Sequence, residues 1–399
     1  MFIQAQKKQN YFLSQPHQPF FILGVINAVI MMFLFALNYK GVLSLQISSL
    51  YFHTYSLIFL VFLNVFIGFL FTTFPKFNQT QVIKKSFYLK IFYANVFGSI
   101  LFLSGSLFLG IGLIFAIFVI MISQIFMVSK LQNIYNISKA INKSDSFWIL
   151  LSNYFGIFGN LLFGVSFLIP PLQNSAIAIS FYLFVIFLTF SVAQRMVPAF
   201  SQSSAPKNKN FVAISFILFI MMTVFRIFDF KVAEILVDFT LFIYLLREFL
   251  RWRLHPLSTP AILWILHLAL FWLPLAFLFS ALSLAAELLW HTSFYFLGVH
   301  LLALGFLTTI LIGFGTRVVY GHSGQVIHAD KTATFIFYFT QFLVLSRVLY
   351  SINIALGWGL DFLFDISFSA WLVLFIFWGG RYGRILLFGS KTKHIVKWS

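Results

Sequence analysis

Histidine side chains stand inside or beside the long apolar stretches of this chain. His267 lies within LWILHLALF, His300 lies within GVHLLALGF, and His53 opens the run YFHTYSLIF. An ionisable side chain inside hydrocarbon costs about 2.5–3.5 kcal/mol, so a residue of this kind is a candidate for function. A neutral imidazole can bind haem iron or copper through a ring nitrogen, and it can also simply hydrogen-bond to a neighbouring helix.

Other candidates stand near the ends of the apolar stretches. His17 lies in SQPHQPFF, His291 follows a tryptophan, Arg347 lies in LVLSRVLY, and Arg317 and His322 share the segment GTRVVYGHSGQ. An arginine guanidinium is always charged and can hold a carboxylate through two parallel hydrogen bonds. On the residues alone, a cytoplasmic arginine followed by a glycine-rich turn is the simpler explanation of GTRVVYGHSGQ.

The composition defines the class of protein that carries these residues. The chain has 399 residues, of which 61 % are hydrophobic and 9 % charged, and its mean hydropathy is +0.97. These values, with apolar runs of about twenty residues, are typical of polytopic helical membrane proteins. The absence of cysteine excludes disulfides, iron–sulfur clusters and cysteine nucleophiles, so that a metal would be held by His, Met or carboxylate side chains.

Twelve apolar segments are each long enough to cross about 30 Å of hydrocarbon as a helix. No connection between them could hold a soluble domain, so residues 1–399 are expected to form a single transmembrane domain, an all-α bundle without an evident internal repeat. The predicted spans are 20–38, 51–73, 87–104, 107–128, 147–169, 175–195, 211–228, 232–250, 260–283, 287–313, 332–352 and 364–386.

The basic residues orient these spans. The net charge of +17 comes mainly from Lys and Arg in the loops on the side of both termini, and the other side keeps only Lys40, Arg226, Lys231 and Arg347. Because positively charged loops remain in the cytoplasm, both termini are predicted to be cytoplasmic. The excess charge therefore reflects orientation in a lipid bilayer, and nucleic acid is not expected as a partner.

This orientation separates the histidines by depth. His53 and His291 are expected near the outer end of their spans, and His17 and His322 near the inner end. Counting about 1.5 Å per residue, His300 lies roughly 20 Å from the cytoplasmic side, between the two groups. One metal ion cannot bind all of these side chains, so the pattern predicts an inner group and an outer group.

Acidic residues are scarce and do not share the depth of these histidines. Asp229, Glu234 and Asp238 stand near Arg226 and Lys231 around the seventh and eighth spans. This clustering predicts a network of ion pairs at the end of these spans rather than a proton path through the bundle. A metal site rich in carboxylates is therefore not expected.

Several motifs, in order along most of the chain, resemble the NnrS family. They are QPHQPFFILG, HTYSLIF with GFLFTTFP, RMVPAFS, WILHLALFWLPL and HLLALGF with GTRVVYGHSG. The third to fifth spans and the tail carry little of the resemblance. It implies a twelve-span protein of the bacterial cytoplasmic membrane that contains haem and copper and acts in nitric oxide metabolism and nitrosative stress.

The resemblance also suggests which residues hold the cofactors. The positions typical of the family's histidines and arginines are His53, His267, His300, His322, Arg195, Arg317 and Arg347. It implies that these residues bind haem, with Arg317 holding a propionate, and that the four histidines are metal ligands. His17 is a further metal candidate, as is His291, which falls on no family position.

This chain departs from the family pattern in its second span and at its start. Tyr55 and Ser56 stand where relatives often have a second histidine and an acid, and Gln18 stands where arginine is common before PFF. If the missing histidine binds metal in relatives, one centre here would have a different ligand set or be absent, and this bears most on the copper site. No enzymatic reaction follows from the resemblance.

Two other functions are consistent with the same residues. A transporter or exporter without cofactor could use the polar residues and a helix broken near Pro274 as a substrate path. A membrane assembly subunit could use the histidines for helix packing alone. The sequence favours a haem protein of the nitric oxide response over both.

Overall fold

The computed structural model describes residues 11–206, 208–255 and 259–390. These residues form twelve long helices, one short 3-10 turn at Tyr11–Leu13 and no strand. The helices are α1 (His17–Tyr39), α2 (Ser49–Phe77), α3 (Lys85–Leu107), α4 (Ile111–Asn136), α5 (Ser144–Val165), α6 (Leu172–Phe200), α7 (Phe211–Ile227), α8 (Lys231–Arg251), α9 (Ala261–Trp290), α10 (Leu297–His322), α11 (Lys331–Leu356) and α12 (Phe362–Phe388).

The predicted fold class, an all-α polytopic bundle, is confirmed. Each predicted span coincides for most of its length with one helix, and ten helices within the described ranges are long and apolar enough to cross a membrane. Helix α7 is apolar but has only 17 residues, or about 25 Å. Helix α8 has 21 residues but carries acidic and basic side chains along its length. The chain is a multi-pass membrane protein.

Three helices, α2, α6 and α10, form the centre of the bundle. In the most apolar 18-residue stretch of each of these helices, 89 %, 89 % and 78 % of the residues are buried. The corresponding share is 33 % to 61 % in the other seven candidate spans. Each contains a π-helical segment, in which backbone hydrogen bonds span five residues instead of four. These segments are Ser56–Phe62, Ile179–Ile186 and Leu301–Thr308, and the middle one contacts the other two.

The spacing of these segments reveals an internal repeat. They begin at Ser56, Ile179 and Leu301, so that consecutive starts are 123 and 122 residues apart. The first two central helices also end alike, in PKFNQT and PAFSQS, where Gln79 and Gln202 have left-handed φ values of 52° and 51°. The chain therefore consists of three units of four helices, α1–α4, α5–α8 and α9–α12. The sequence alone did not show this repeat, because little beyond these helix ends is similar.

The last unit packs against the first. Helix α12 lies along α1, and Trp371 of α12 donates a hydrogen bond to the carbonyl of Ala28. We call the side where α1 begins at His17 the inner side. The outer side is the one where α1 ends at Tyr39, whose hydroxyl lies 3.2 Å from that of Tyr295, just before α10.

The boundary between α9 and α10 differs most from the predicted spans, which ended at 283 and began again at 287. Helix α9 continues to Trp290, where His291 ends it in a left-handed conformation, and α10 begins only at Leu297. The apolar run is nearly continuous here, and the turn is made by non-glycine residues with positive φ, so hydropathy gives no sign of the break. His300 therefore lies in the first turn of α10, near the outer side, rather than at mid-depth.

Candidate functional site

The structure brings together two of the predicted ligands, His53 of α2 and His300 of α10. Their ring centroids are 6.5 Å apart, with 30° between the ring planes. Both rings lie deep within the protein, yet neither is fully buried. We call this pair, together with Arg347, the outer site.

The separation of these rings suits two ligands of one metal. A metal–imidazole bond is about 2.0 Å long and the ring centre lies roughly 1 Å further, so two imidazoles on opposite sides of a metal have centroids about 6 Å apart. The Nδ1 atom of His300 lies 3.0 Å from the carbonyl oxygen of Phe296, which fixes the ring and leaves its Nε2 free. The Nδ1 atom of His53 is buried without a hydrogen-bond partner. The ring of Phe35 packs against that of His53, with 4.2 Å between their centroids.

Arg347 of α11 supplies a buried positive charge to the outer site. Only 8 % of the residue is exposed, and its guanidinium donates to the hydroxyl of Ser351 and, over 3.2 Å, to the carbonyl oxygen of Tyr295. Among the described residues no carboxylate forms a salt bridge with it. A buried charge without a counterion is unfavourable, so this position suits an anionic group of a ligand.

Three tyrosines complete the outer site, and the sequence analysis did not single them out. The hydroxyl of Tyr39 lies 3.2 Å from the hydroxyls of both Tyr295 and Tyr350. The guanidinium of Arg347 lies 5.1 Å from the ring centroid of Tyr350. Burial and the hydrogen bond to Tyr39 raise the pKa of Tyr295 to about 12, so this phenol stays protonated at neutral pH.

A second pair of histidines, which we call the inner pair, lies at the opposite side. The ring centroids of His17 at the start of α1 and His322 at the end of α10 are 4.8 Å apart. Only 2 % of His17 is exposed, and its Nδ1 is buried without a partner. A side-chain carbon on Gly68 would stand 3.2 Å from the backbone of His17, so glycine lets α2 approach this close.

Arg195 and Arg317 occupy equivalent positions in the second and third units. The guanidinium of Arg195 lies 4.3 Å from the ring centroid of Phe77, and that of Arg317 lies 4.0 Å from the ring centroid of Phe200. Each arginine thus covers the aromatic residue that ends the preceding central helix. Arg195 also forms a 3.1 Å salt bridge with Asp145. Arg317 has no such carboxylate partner among the residues described.

The remaining predicted ligands lie apart from both pairs. His267 is 1 % exposed, and its Nε2 lies 2.6 Å from the hydroxyl of Ser201 while its Nδ1 lies 3.2 Å from the carbonyl oxygen of His255. Both nitrogens thus have hydrogen-bond partners within the protein. His291 is exposed at the outer end of α9.

The two pairs are too far apart to share one group. His300 and His322 stand at opposite ends of α10, 22 residues or roughly 33 Å apart. No cluster of three or more His, Cys, Asp or Glu side chains suited to a metal occurs in the described part of the chain. Each pair could supply two nitrogen ligands to a group of its own, but only the outer pair has the separation of two imidazoles on opposite sides of one metal.

A search of curated proteins finds no match to this chain. A comparison with protein-family models matches NnrS protein over residues 11–388, nearly the whole sequence and both histidine pairs. The chain therefore belongs to the NnrS family.

Proposed function

We propose that this protein binds haem at the outer site and acts in the response to nitric oxide. His53 and His300 would bind the haem iron, and Arg347 would hold a propionate. The observation that carries the proposal is the spacing of the two imidazoles, 6.5 Å between centroids, beside a buried arginine without a carboxylate partner. The link to nitric oxide comes from the resemblance of the chain to the NnrS family.

The residues of the outer site would bind and orient the group. The hydrogen bond from His300 to the Phe296 carbonyl sets the direction of its ring and makes Nε2 the ligand atom. Phe35 limits rotation of the His53 ring by packing against it. Tyr350 contacts the guanidinium of Arg347 with its ring, and its hydroxyl lies within hydrogen-bond distance of Tyr39.

Bound haem would supply an iron centre that accepts and donates single electrons. His53 of α2 and His300 of α10 would hold that iron between two of the central helices. The protein's part is to keep both imidazoles neutral and in place, which a buried position favours.

The inner pair is a candidate for a second centre. The buried, unpaired Nδ1 of His17 and the neighbouring ring of His322 offer two nitrogen ligands, which suit copper. Their centroids are closer together than those of two imidazoles on opposite sides of one metal. The half-buried Arg317 on the same helix could hold a carboxylate at the inner end. A metal ion at this pair would need further ligands from water or a small molecule.

The test is an absorption spectrum and metal analysis of the detergent-purified protein, oxidised and reduced, before and after nitric oxide. His53→Ala and His300→Ala are compared with His291→Ala, a histidine exposed on the same side. We expect a haem spectrum in the wild type and the His291 variant, and its loss or conversion to a five-coordinate form in the other two. If the wild type contains stoichiometric copper and His17→Ala and His322→Ala both lose it, the copper is bound by the inner pair.

A folded protein without haem would refute the proposal. Uptake of a substrate into liposomes by cofactor-free protein would then support a transporter or exporter. Unchanged behaviour of the His53 and His300 variants in a cell-based nitric oxide assay would instead support a membrane assembly subunit that uses its histidines for packing.

A further inference from the structure

A group of buried ionisable residues lies between α6, α7, α8 and α9, away from both histidine pairs. It consists of Glu234 and Asp238 on α8 and Arg226 on α7, with Tyr182 of α6 and Ser280 of α9 at its edge. Glu234 is 3 % exposed and Asp238 is 1 % exposed. The sequence predicted an ion-pair network at the end of these helices; Arg226 does pair with Glu234 and Asp229 is exposed, but Glu234 and Asp238 lie inside the protein.

Only one of the two carboxylates has a cation of its own. Arg226 forms a salt bridge with Glu234, and its guanidinium lies 5.0 Å from the centroid of Tyr182. Neither side-chain oxygen of Asp238 accepts a hydrogen bond of ordinary geometry, although the hydroxyl of Ser280 lies nearby. If all three groups were ionised, the cluster would keep one uncompensated negative charge in a buried position, which is unfavourable.

The cluster is connected to the outer surface by further charged residues. Lys231, in the first turn of α8, forms a 3.0 Å salt bridge with Glu287 of α9, and both side chains are partly exposed. Glu234 lies one turn further along α8, and Asp238 another turn beyond it. Asp238 is thus about 10 Å along the helix from Lys231. Ionisable groups therefore line the way from the surface to the buried carboxyl.

We propose that Asp238 is a proton-binding site, reached from the outer side past Glu287, Lys231 and Glu234. One proton cancels the remaining negative charge of the cluster, whereas a metal cation would stand beside the Arg226 guanidinium, which repels it. The charged and titratable groups around Asp238 are Glu234 on its own helix, Arg226 of α7 and Tyr182 of α6, while α9 contributes the neutral Ser280. Buried carboxyls of this kind in membrane helices commonly take part in proton transfer.

The proposal predicts a signal that does not depend on any cofactor. Infrared spectra of the purified full-length protein in a detergent without ester groups, in H₂O and D₂O, report the carbonyl stretch of a protonated carboxylic acid. We expect the wild type to show such a band at neutral pH, with a shift in D₂O, and Asp238→Asn to lack it. Asp365→Asn is the matched control, because Asp365 is an exposed carboxylate paired with Lys40.

A second variant tests the charge balance itself. Arg226→Gln removes the cation that keeps Glu234 ionised, so both carboxyls should then bind protons and the band should about double in intensity. Glu287→Gln should slow the exchange in D₂O without removing the band, because it alters the entry path alone.

Four results would overturn the proposal. These are the absence of the band in the wild type, its persistence in Asp238→Asn, an unchanged band in Arg226→Gln, and loss of the band on addition of Na⁺, which would indicate a cation site. If Asp238→Asn does not fold, the wild-type and Arg226→Gln spectra still decide between these outcomes.

Discussion

Replacing Arg347 by glutamine separates a binding role of this residue from a structural one. The guanidinium is a buried cation whose hydrogen-bond partners among the described residues are neutral, the hydroxyl of Ser351 and the carbonyl of Tyr295. Glutamine removes the charge, and its amide can still donate to one of these oxygens. The Tyr295 carbonyl also accepts from Ser351 at 3.3 Å, so the substitution does not leave it unpaired.

The magnitudes follow from this arrangement. A hydrogen bond to a charged group contributes about 1.5–3 kcal/mol, and about 1.4 kcal/mol corresponds to a factor of ten in affinity. If Arg347 holds a propionate, Arg347→Gln should weaken haem binding roughly tenfold to a hundredfold. The haem-free protein should lose no stability, because a buried charge without a counterion costs several kcal/mol.

The assay is a haem titration of the purified haem-free protein, followed by Soret absorbance, together with the midpoint of thermal unfolding before haem is added. Arg381→Gln serves as the control, since Arg381 lies on the neighbouring α12 and has its own partner, Asp330. An Arg347 variant with unchanged haem affinity and a lower unfolding midpoint would refute the reasoning, because Arg347 would then be a packing residue.

Three further predictions concern residues outside the metal ligands. His267→Leu should lower the free energy of unfolding by about 1–3 kcal/mol, because its two hydrogen bonds are lost. The haem spectrum should not change; a changed spectrum would indicate that His267 is a ligand. Gly159→Ala should lower the unfolding midpoint, because its new carbon would stand 2.1 Å from the hydroxyl of Ser180, and Ser180→Ala should restore most of the loss. The pKa of Tyr295 is raised from 10.0 to about 12 in the folded protein, so folding binds a proton there and stability should fall between about pH 10 and 12. Tyr295→Phe should flatten that part of the pH profile of thermal unfolding.

Hydropathy was sufficient to predict the helices but not their arrangement. Twelve apolar segments indicate twelve helices whatever their neighbours are, which is why the fold class could be predicted. The π-helical segments leave no mark in composition, and the turn between His291 and Phe296 uses residues that rarely adopt positive φ. The internal repeat could have been found from PKFNQT and PAFSQS, which are 123 residues apart.

The candidate residues were predictable one by one, whereas their partners were not. His53 and His300 stood out because ionisable groups are rare in apolar spans. That they meet depends on contact between α2 and α10, which lie far apart in the sequence. Tyr39 and Tyr350 gave no signal, since tyrosine is common near membrane surfaces. Asp238 was expected in an ion pair because nothing in the sequence shows that Arg226 pairs with Glu234 alone.

The division into three units has a consequence for assembly. Both histidine pairs join the first unit to the last: His53 and His17 lie in one, His300 and His322 in the other. Neither pair can form until the third unit has been synthesised and has docked against α1. A group bound there ties the two ends of the chain together and favours the closed bundle over any partly assembled form, because it binds only the closed state. A chain truncated after the second unit would contain His17 and His53 but neither of their partners, so it could not bind a group at either pair. Binding of a cofactor would therefore report that the third unit had docked against the first.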